Sequence, residues 1–297
     1  MIPMLLLTVL LLALVVLPLA WGPGSHLEYA SRTLRARRKL DAPVARLLRD
    51  EPSAFLYGNI AADIINFKGY GGHYNHCHRW TIVAEMRARA TSQAEHAFAL
   101  GYLAHLAADT IAHNHFVPYH LARYARSKGL GHLYWEMRAD ASVTESIWNV
   151  IARLKADRTL DALDELVNQA VPHKAFSMRT NKLLFNRVLL SSERDRWRHG
   201  VARLQGLSSA PLKAEFLEHF RRAAVGRIRL ALAPDGLAQL AHLDTNGKHA
   251  QHEAWTGRKR ALTRLSTARR EQESFEHAGQ FLVGMESPPP GGGRPHW

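Results

Sequence analysis

Residues 97–112 read AFALGYLAHLAADTIA, an apolar run broken by His105 and Asp109, four positions apart. Apolar residues at three-to-four spacing specify a half-buried helix rather than a strand. Residues four apart stand one above the other with about 5–6 Å between their β-carbons, so an imidazole and a carboxylate placed this way can grip one ion jointly. His132-Leu-Tyr-Trp-Glu136 repeats the arrangement. Two helices that each offer a His with an acid one turn later meet the requirement of a metal site in the core of a helical bundle.

A lone His-x-x-x-Asp pair arises by chance, and a buried His bonded to an Asp one turn away is commonly structural. Two such pairs fall within 32 residues here, with a further His between them and His76-Cys77-His78 upstream. The chain holds 18 histidines, nine of them between His73 and His132, a density that a neutral core does not require. Coincidence is the weaker account. Between the pairs lies His113-Asn-His115-Phe-Val-Pro118, where Pro118 is expected to push Val117 out of helical geometry and end the helix. His113 continues the His105/Asp109 face; His115 is placed just past the helix end, free to swing toward a neighbouring ion. Asp63 closes the apolar segment Tyr57-Gly-Asn-Ile-Ala-Ala-Asp63, and a buried carboxylate is paired, capping a helix or bound to metal. Cys77 could bind zinc as a thiolate, though a lone cysteine more often fills space. His96, His120 and the histidines after His132 have no spacing argument and are assigned to surface or packing.

The rest of the sequence reads as all-α. Helical spacing recurs over 80–90, 94–114, 132–154, 160–171, 212–232 and 258–275, with breaks at 68–72, Pro118, 129–131, Pro172, 208–211 and 234–236. The chemistry-bearing residues stop near Glu136. A soft boundary near Asp157 therefore divides a metal-binding helical domain, 21–157, from an additional helical region, 158–283. Residues 1–20 carry no charge, and the aliphatic run 4–17 is followed by Pro18-Leu-Ala20, which reads as a secretory leader cleaved after Ala20. A retained membrane anchor is the alternative, since 20 apolar residues could just span a thin bilayer. The last residues, 284–297, include SPPPGGGRPHW and are expected to be a disordered tail. The single cysteine, Cys77, excludes an intramolecular disulfide, a thiolate-rich zinc ribbon and an iron–sulfur cluster.

Taken in order, Trp21, His26, Asp63, His78, His105, Asp109, His115, His132 and Glu136 resemble the ligand series of the zinc-dependent phospholipase C family and, more distantly, of the fungal single-strand-specific zinc nucleases that share its fold. The resemblance covers roughly residues 21–140. The gaps from Trp21 to His26 and from Asp63 to His78 look like the nuclease branch; the short gap from His115 to His132 and the acid Glu136 look like the phospholipase branch. Either His76 or His78 could be the ligand at that position, and spacing favours His78. The resemblance implies up to three zinc ions in one cleft of a helical bundle. One would be held by Asp63, His78, His105 and Asp109. A second would be held by His115, His132 and Glu136. The third would be held by His26, a bridging Asp109, and the main-chain amine and carbonyl of Trp21. Leader removal would free that amine, so processing and activity would be coupled.

Oxygen- and nitrogen-rich sites with little sulfur suit zinc, and paired zincs suit phosphoryl displacement by an activated water. Asp63 is the expected general base. The formal charge of +13 favours encounter with an anionic substrate or membrane surface. It does not choose between lipid and nucleic acid. Three functions follow as expectations. The first is a secreted or periplasmic phosphodiesterase of phospholipase C type, acting on a phospholipid or another anionic phosphodiester. The second is a zinc nuclease, with nucleic acid as substrate. The third is a non-catalytic metal-binding envelope protein.

Overall fold

The computed structural model describes residues 22–65, 77–125, 128–171, 173–188, 210, 212–264 and 266–286. The leader, Trp21, His76 and residues 287–297 lie outside them. Fourteen α-helices are described: α1 (Pro23–Arg35), α2 (Ala42–Asp50), α3 (Pro52–Ile64), α4 (Trp80–Arg89), α5 (Gln93–Ile111), α6 (Val117–Tyr124), α7 (Lys128–Ala141), α8 (Glu145–Ala156), α9 (Asp164–Ala170), α10 (Met178–Val188), α11 (Ala214–Ala231), α12 (Gly236–Leu240), α13 (Lys248–Arg264) and α14 (Thr267–Gly279). No strand occurs among the described residues, and none of these helices is long and apolar enough to cross a membrane.

The quoted stretch forms most of α5, the central element. A capping box starts it: Glu95 N donates to Ser92 Oγ at 3.2 Å, and Ser92 N to Glu95 Oε2 at 2.9 Å. From residue 97 to 112 only Leu100 retains appreciable exposure, so the helix is covered on all sides rather than on one. α3, α4 and α11 pack around it. The closest of these crossings is set by two glycines. A β-carbon at Gly58 would lie 2.0 Å from Phe98 O, and one at Gly101 would lie 2.1 Å from Phe55 O. Backbone thus meets backbone where α3 crosses α5, which places Asp63 and His105 across from one another.

Gly101→Ala is expected to force these helices apart, because the obstacle is main chain and cannot turn aside. Overpacking of this kind costs about 1–3 kcal/mol, and the same displacement would move Asp63 away from His105, loosening the α3 side of the expected metal site. A denaturant midpoint and zinc content equal to those of the parent chain would contradict it.

Pro118 does not end the helix. α5 passes through a π-helical turn, Ala112–Phe116, directly into α6, and the Val117 N–H reaches back to Ala112 O. Pro118 falls in the first turn of α6, where a missing N–H is tolerated, and the widened turn takes up its ring. Asn114 Nδ2 donates to Thr110 O at 3.0 Å within the same turn. Other sequence breaks also moved. Gly129 and Gly131 lie inside the first turn of α7 instead of separating helices, and 132–154 divides at 142–144 into α7 and α8. The run 258–275 is shared between α13, which ends at Arg264, and α14, which starts at Thr267.

Buried residues from Leu27 in α1 to Met285 beyond α14 belong to one continuous core. Both sides of Asp157 contribute to it. His120 is a packing residue: its Nδ1 donates to Phe116 O at 2.7 Å and its ring lies 4.2 Å from that of Trp135.

Candidate metal centre

Three groups of ligand-type side chains converge in the core: His26, His105 and Asp109; Asp63, His78 and His105; and His113, His132 and Glu136, the potential donor atoms of each lying within 4.8 Å of one another. α1 supplies His26, α3 supplies Asp63, α5 supplies His105 and Asp109, the π turn supplies His113, and α7 supplies His132 and Glu136. His78 stands just before α4.

Asp109 joins the first two groups. Its Oδ1 lies 3.3 Å from His26 Nε2, while its Oδ2 lies 3.2 Å from His105 Nε2 and 3.4 Å from His78 Nε2. Asp63 Oδ1 is 3.4 Å from His78 Nε2 and 3.9 Å from His105 Nε2. The His78 and His105 Nε2 atoms are only 3.1 Å apart, and the His26 ring stacks on that of His105 at 3.9 Å. In the third group Glu136 Oε1 is 2.7 Å from His132 Nε2 and 3.5 Å from His113 Nε2.

The orientation of the rings argues for a cation at each place. His105 Nδ1 donates to Asn59 O at 2.8 Å, His113 Nδ1 to Thr245 O, and His132 Nδ1 to Gln251 Oε1 at 2.8 Å. His78 Nδ1 stands 3.2 Å from Cys77 Sγ. Once Nδ1 carries the proton of a neutral imidazole, Nε2 carries a lone pair, and all these lone pairs face the centre. They face carboxylate oxygens, which are also acceptors. Acceptors brought together in a dry core repel unless a positive charge lies between them. Both oxygens of Asp109, both ring nitrogens of His26, His113 Nε2 and Glu136 Oε2 are buried without a hydrogen bond. Among the described residues the ion-pair partners of Asp109 and Glu136 are all imidazoles.

The electrostatics of the site point the same way. Burial depresses the His113 imidazolium, yet Asp109 and Glu136 outweigh it and push the pKa up to about 9. Burial, reinforced by the neighbouring His105, lowers the pKa of His26. Nitrogen- and oxygen-rich donor sets of this kind suit zinc.

The structure corrects one expected ligand. His115 is turned away from the centre: its Nδ1 donates to Phe281 O at 2.7 Å, and burial lowers its pKa to about 4. His113 takes the expected place beside His132 and Glu136. The cause is the continuous helix, which keeps His113 one turn beyond Asp109 while the π turn carries His115 round to the far side. His26, Asp63, His78, His105, Asp109, His132 and Glu136 are brought together; Trp21 and His76 fall outside the described residues. Cys77 belongs to none of the three groups and sits behind His78, 1% exposed.

Sequence reasoning missed three further residues. Asp140 continues the His132–Glu136 face by one more turn, and its carboxylate receives Ser25 N at 2.6 Å and Gly24 N at 3.2 Å, anchoring the start of α1 next to His26. The i, i+4, i+8 spacing was its signal. Thr245 and Gln251 come from the second half of the chain, where no local pattern marked them.

A helical bundle whose core gathers histidines and carboxylates from five helical elements defines an all-α protein with three candidate metal-binding groups. The chain belongs to the zinc dependent phospholipase C family, whose model matches residues 25–187. The match runs well past Glu136, where the ordered ligand series ends. No curated protein and no solved structure matches the chain.

Proposed function

We propose that this protein is a zinc-dependent phosphodiesterase of phospholipase C type, cleaving the head-group phosphodiester of a phospholipid. The observation that carries the reading is Asp109, whose two oxygens face different sets of imidazoles and so suit a carboxylate bridging two ions. Asp63, His78, His105 and Asp109 would hold one zinc; His113, His132 and Glu136 a second; His26 and Asp109 a third, completed by the amine and carbonyl of Trp21 once residues 1–20 are removed. Zinc at such a centre supplies Lewis acidity and an acidified water for in-line attack at phosphorus.

The chain's own groups then do the rest. Asp63, buried at the end of α3, accepts the proton released by the attacking water at a carboxylate oxygen. Asn59 O and Thr245 O keep the His105 and His113 rings in one tautomer throughout. The buried setting excludes bulk water around the donors and strengthens each electrostatic contact. The net charge of +13 draws an anionic lipid surface toward the protein. The chain acts outside the cytoplasm, secreted or periplasmic after leader cleavage, or held at the membrane if residues 1–20 are retained.

Phosphatidylcholine vesicles incubated with the zinc-loaded chain should yield diacylglycerol and phosphocholine, and a chelator should stop the release. Mononucleotides from single-stranded DNA with no lipid cleavage would replace this reading by the nuclease one. About three zinc ions per chain with neither activity would leave a metal-binding protein without turnover.

A further inference from the structure

Gln251 and Thr245 lie beyond the residues that the family model matches, yet both reach the centre. The stretch Asp244-Thr-Asn-Gly247 is a tight turn before α13. Asp244 Oδ1 accepts from Asn246 N at 2.9 Å and its Oδ2 from Lys248 N at 2.8 Å, so one carboxylate shapes the turn and caps the helix. Gly247 adopts φ +56°, and a β-carbon there would stand 2.1 Å from His113 O. The turn therefore lies directly against the backbone of His113, and only glycine both takes that conformation and leaves that space. Asn114 Nδ2 ties the contact from the other side, donating to Asp244 O at 2.7 Å. Held this way, Thr245 O accepts from His113 Nδ1, and Thr245 Oγ1 donates to His78 O.

Gln251 stands in the first turn of α13 and is 6% exposed. Its Nε2 donates to Asn246 O at 2.9 Å, which fixes the amide orientation and leaves Oε1 as the acceptor 2.8 Å from His132 Nδ1. The His132 ring thus has an acceptor on each nitrogen, Gln251 Oε1 on one side and Glu136 Oε1 on the other. A neutral imidazole has one proton to give. With that proton directed to Gln251, the Nε2 lone pair is left for the ion shared with Glu136.

We infer that the 244–251 segment is an orienting cradle for the ion of the His113, His132 and Glu136 group, and that Gln251 is the positioning residue that sets the His132 tautomer. The inference rests on the metal reading above. Zinc affinity is to be measured by competition with a chromophoric chelator, with elemental analysis, on the full chain and on Gln251→Leu, Gln251→Glu and His132→Asn. The ion lost in His132→Asn identifies the site. Gln251→Leu should weaken that ion by about 10- to 100-fold, as loss of an outer-shell partner does, and leave the others in place. Gln251→Glu still offers His132 an acceptor but gives up the donor to Asn246 O, so it should lose clearly less affinity than Gln251→Leu, and excess zinc should restore the hydrolysis lost in Gln251→Leu. Unchanged affinity in Gln251→Leu, or equal loss in Gln251→Glu, overturns the assignment. If His132→Asn removes no ion from a zinc-binding chain, the metal reading of this group fails first and the inference with it. Nitrogen-15 spectra of the zinc-loaded parent chain give a check that needs no variant to fold: His132 should carry its proton on Nδ1, and a proton on Nε2 would refute the cradle.

Discussion

Asp109→Asn is expected to remove zinc and hydrolysis together. The substitution keeps the shape of the side chain, so the buried helix around it should still pack. What it removes is the charge and one of two acceptor oxygens. The carboxylate now serves His26 through Oδ1 at 3.3 Å and His78 and His105 through Oδ2 at 3.4 and 3.2 Å. The amide would turn a donating nitrogen toward one of these sets and could not bridge two cations. Zinc should fall by at least one ion per chain, and phosphodiester cleavage by on the order of 10³-fold or more, about 4 kcal/mol of transition-state stabilisation. Elemental analysis beside a hydrolysis assay reads both quantities. Full metal with full turnover would show that Asp109 is a structural partner of the histidines and nothing more.

The second large effect separates two histidines that stand two residues apart. His113→Asn should lose the ion shared with His132 and Glu136 and most of the activity, again on the order of 10³-fold. His115→Asn should keep the metal complement, because that ring faces Phe281 O rather than the centre. An asparagine there can still donate to the same carbonyl. Comparing zinc content and turnover of the two variants decides the matter: equal losses, or the opposite order, would mean that the π turn does not set the register described above.

The His113 and His115 contrast also marks where the sequence misleads. The i, i+4 spacing of His105, Asp109 and His113 was visible, but Pro118 was read as a helix stop, which moved the expected ligand to His115. A proline forbids only the bonds its own ring disturbs. Placed in the first turn of α6 after a widened turn, it disturbs none that the helix needs. His78 is a simpler case. Of the two rings flanking Cys77, spacing favoured it over His76, which lies outside the described residues; the structure sets the His78 Nε2 between Asp63 and Asp109.

The all-α class followed from the sequence because helical periodicity is local: each turn of residues 97–112 displays its own pattern whatever surrounds it. The candidate ligand types were legible for the same reason, since an imidazole and a carboxylate one turn apart share a face in any helix. Tertiary structure alone decided which rings meet which carboxylates, and that the second half of the chain takes part. Thr245 acts through a main-chain carbonyl, which every residue type possesses, and Gln251 through an amide oriented by Asn246. Neither function leaves a mark on the order of amino acids, because each depends on where a backbone oxygen points after distant segments have packed.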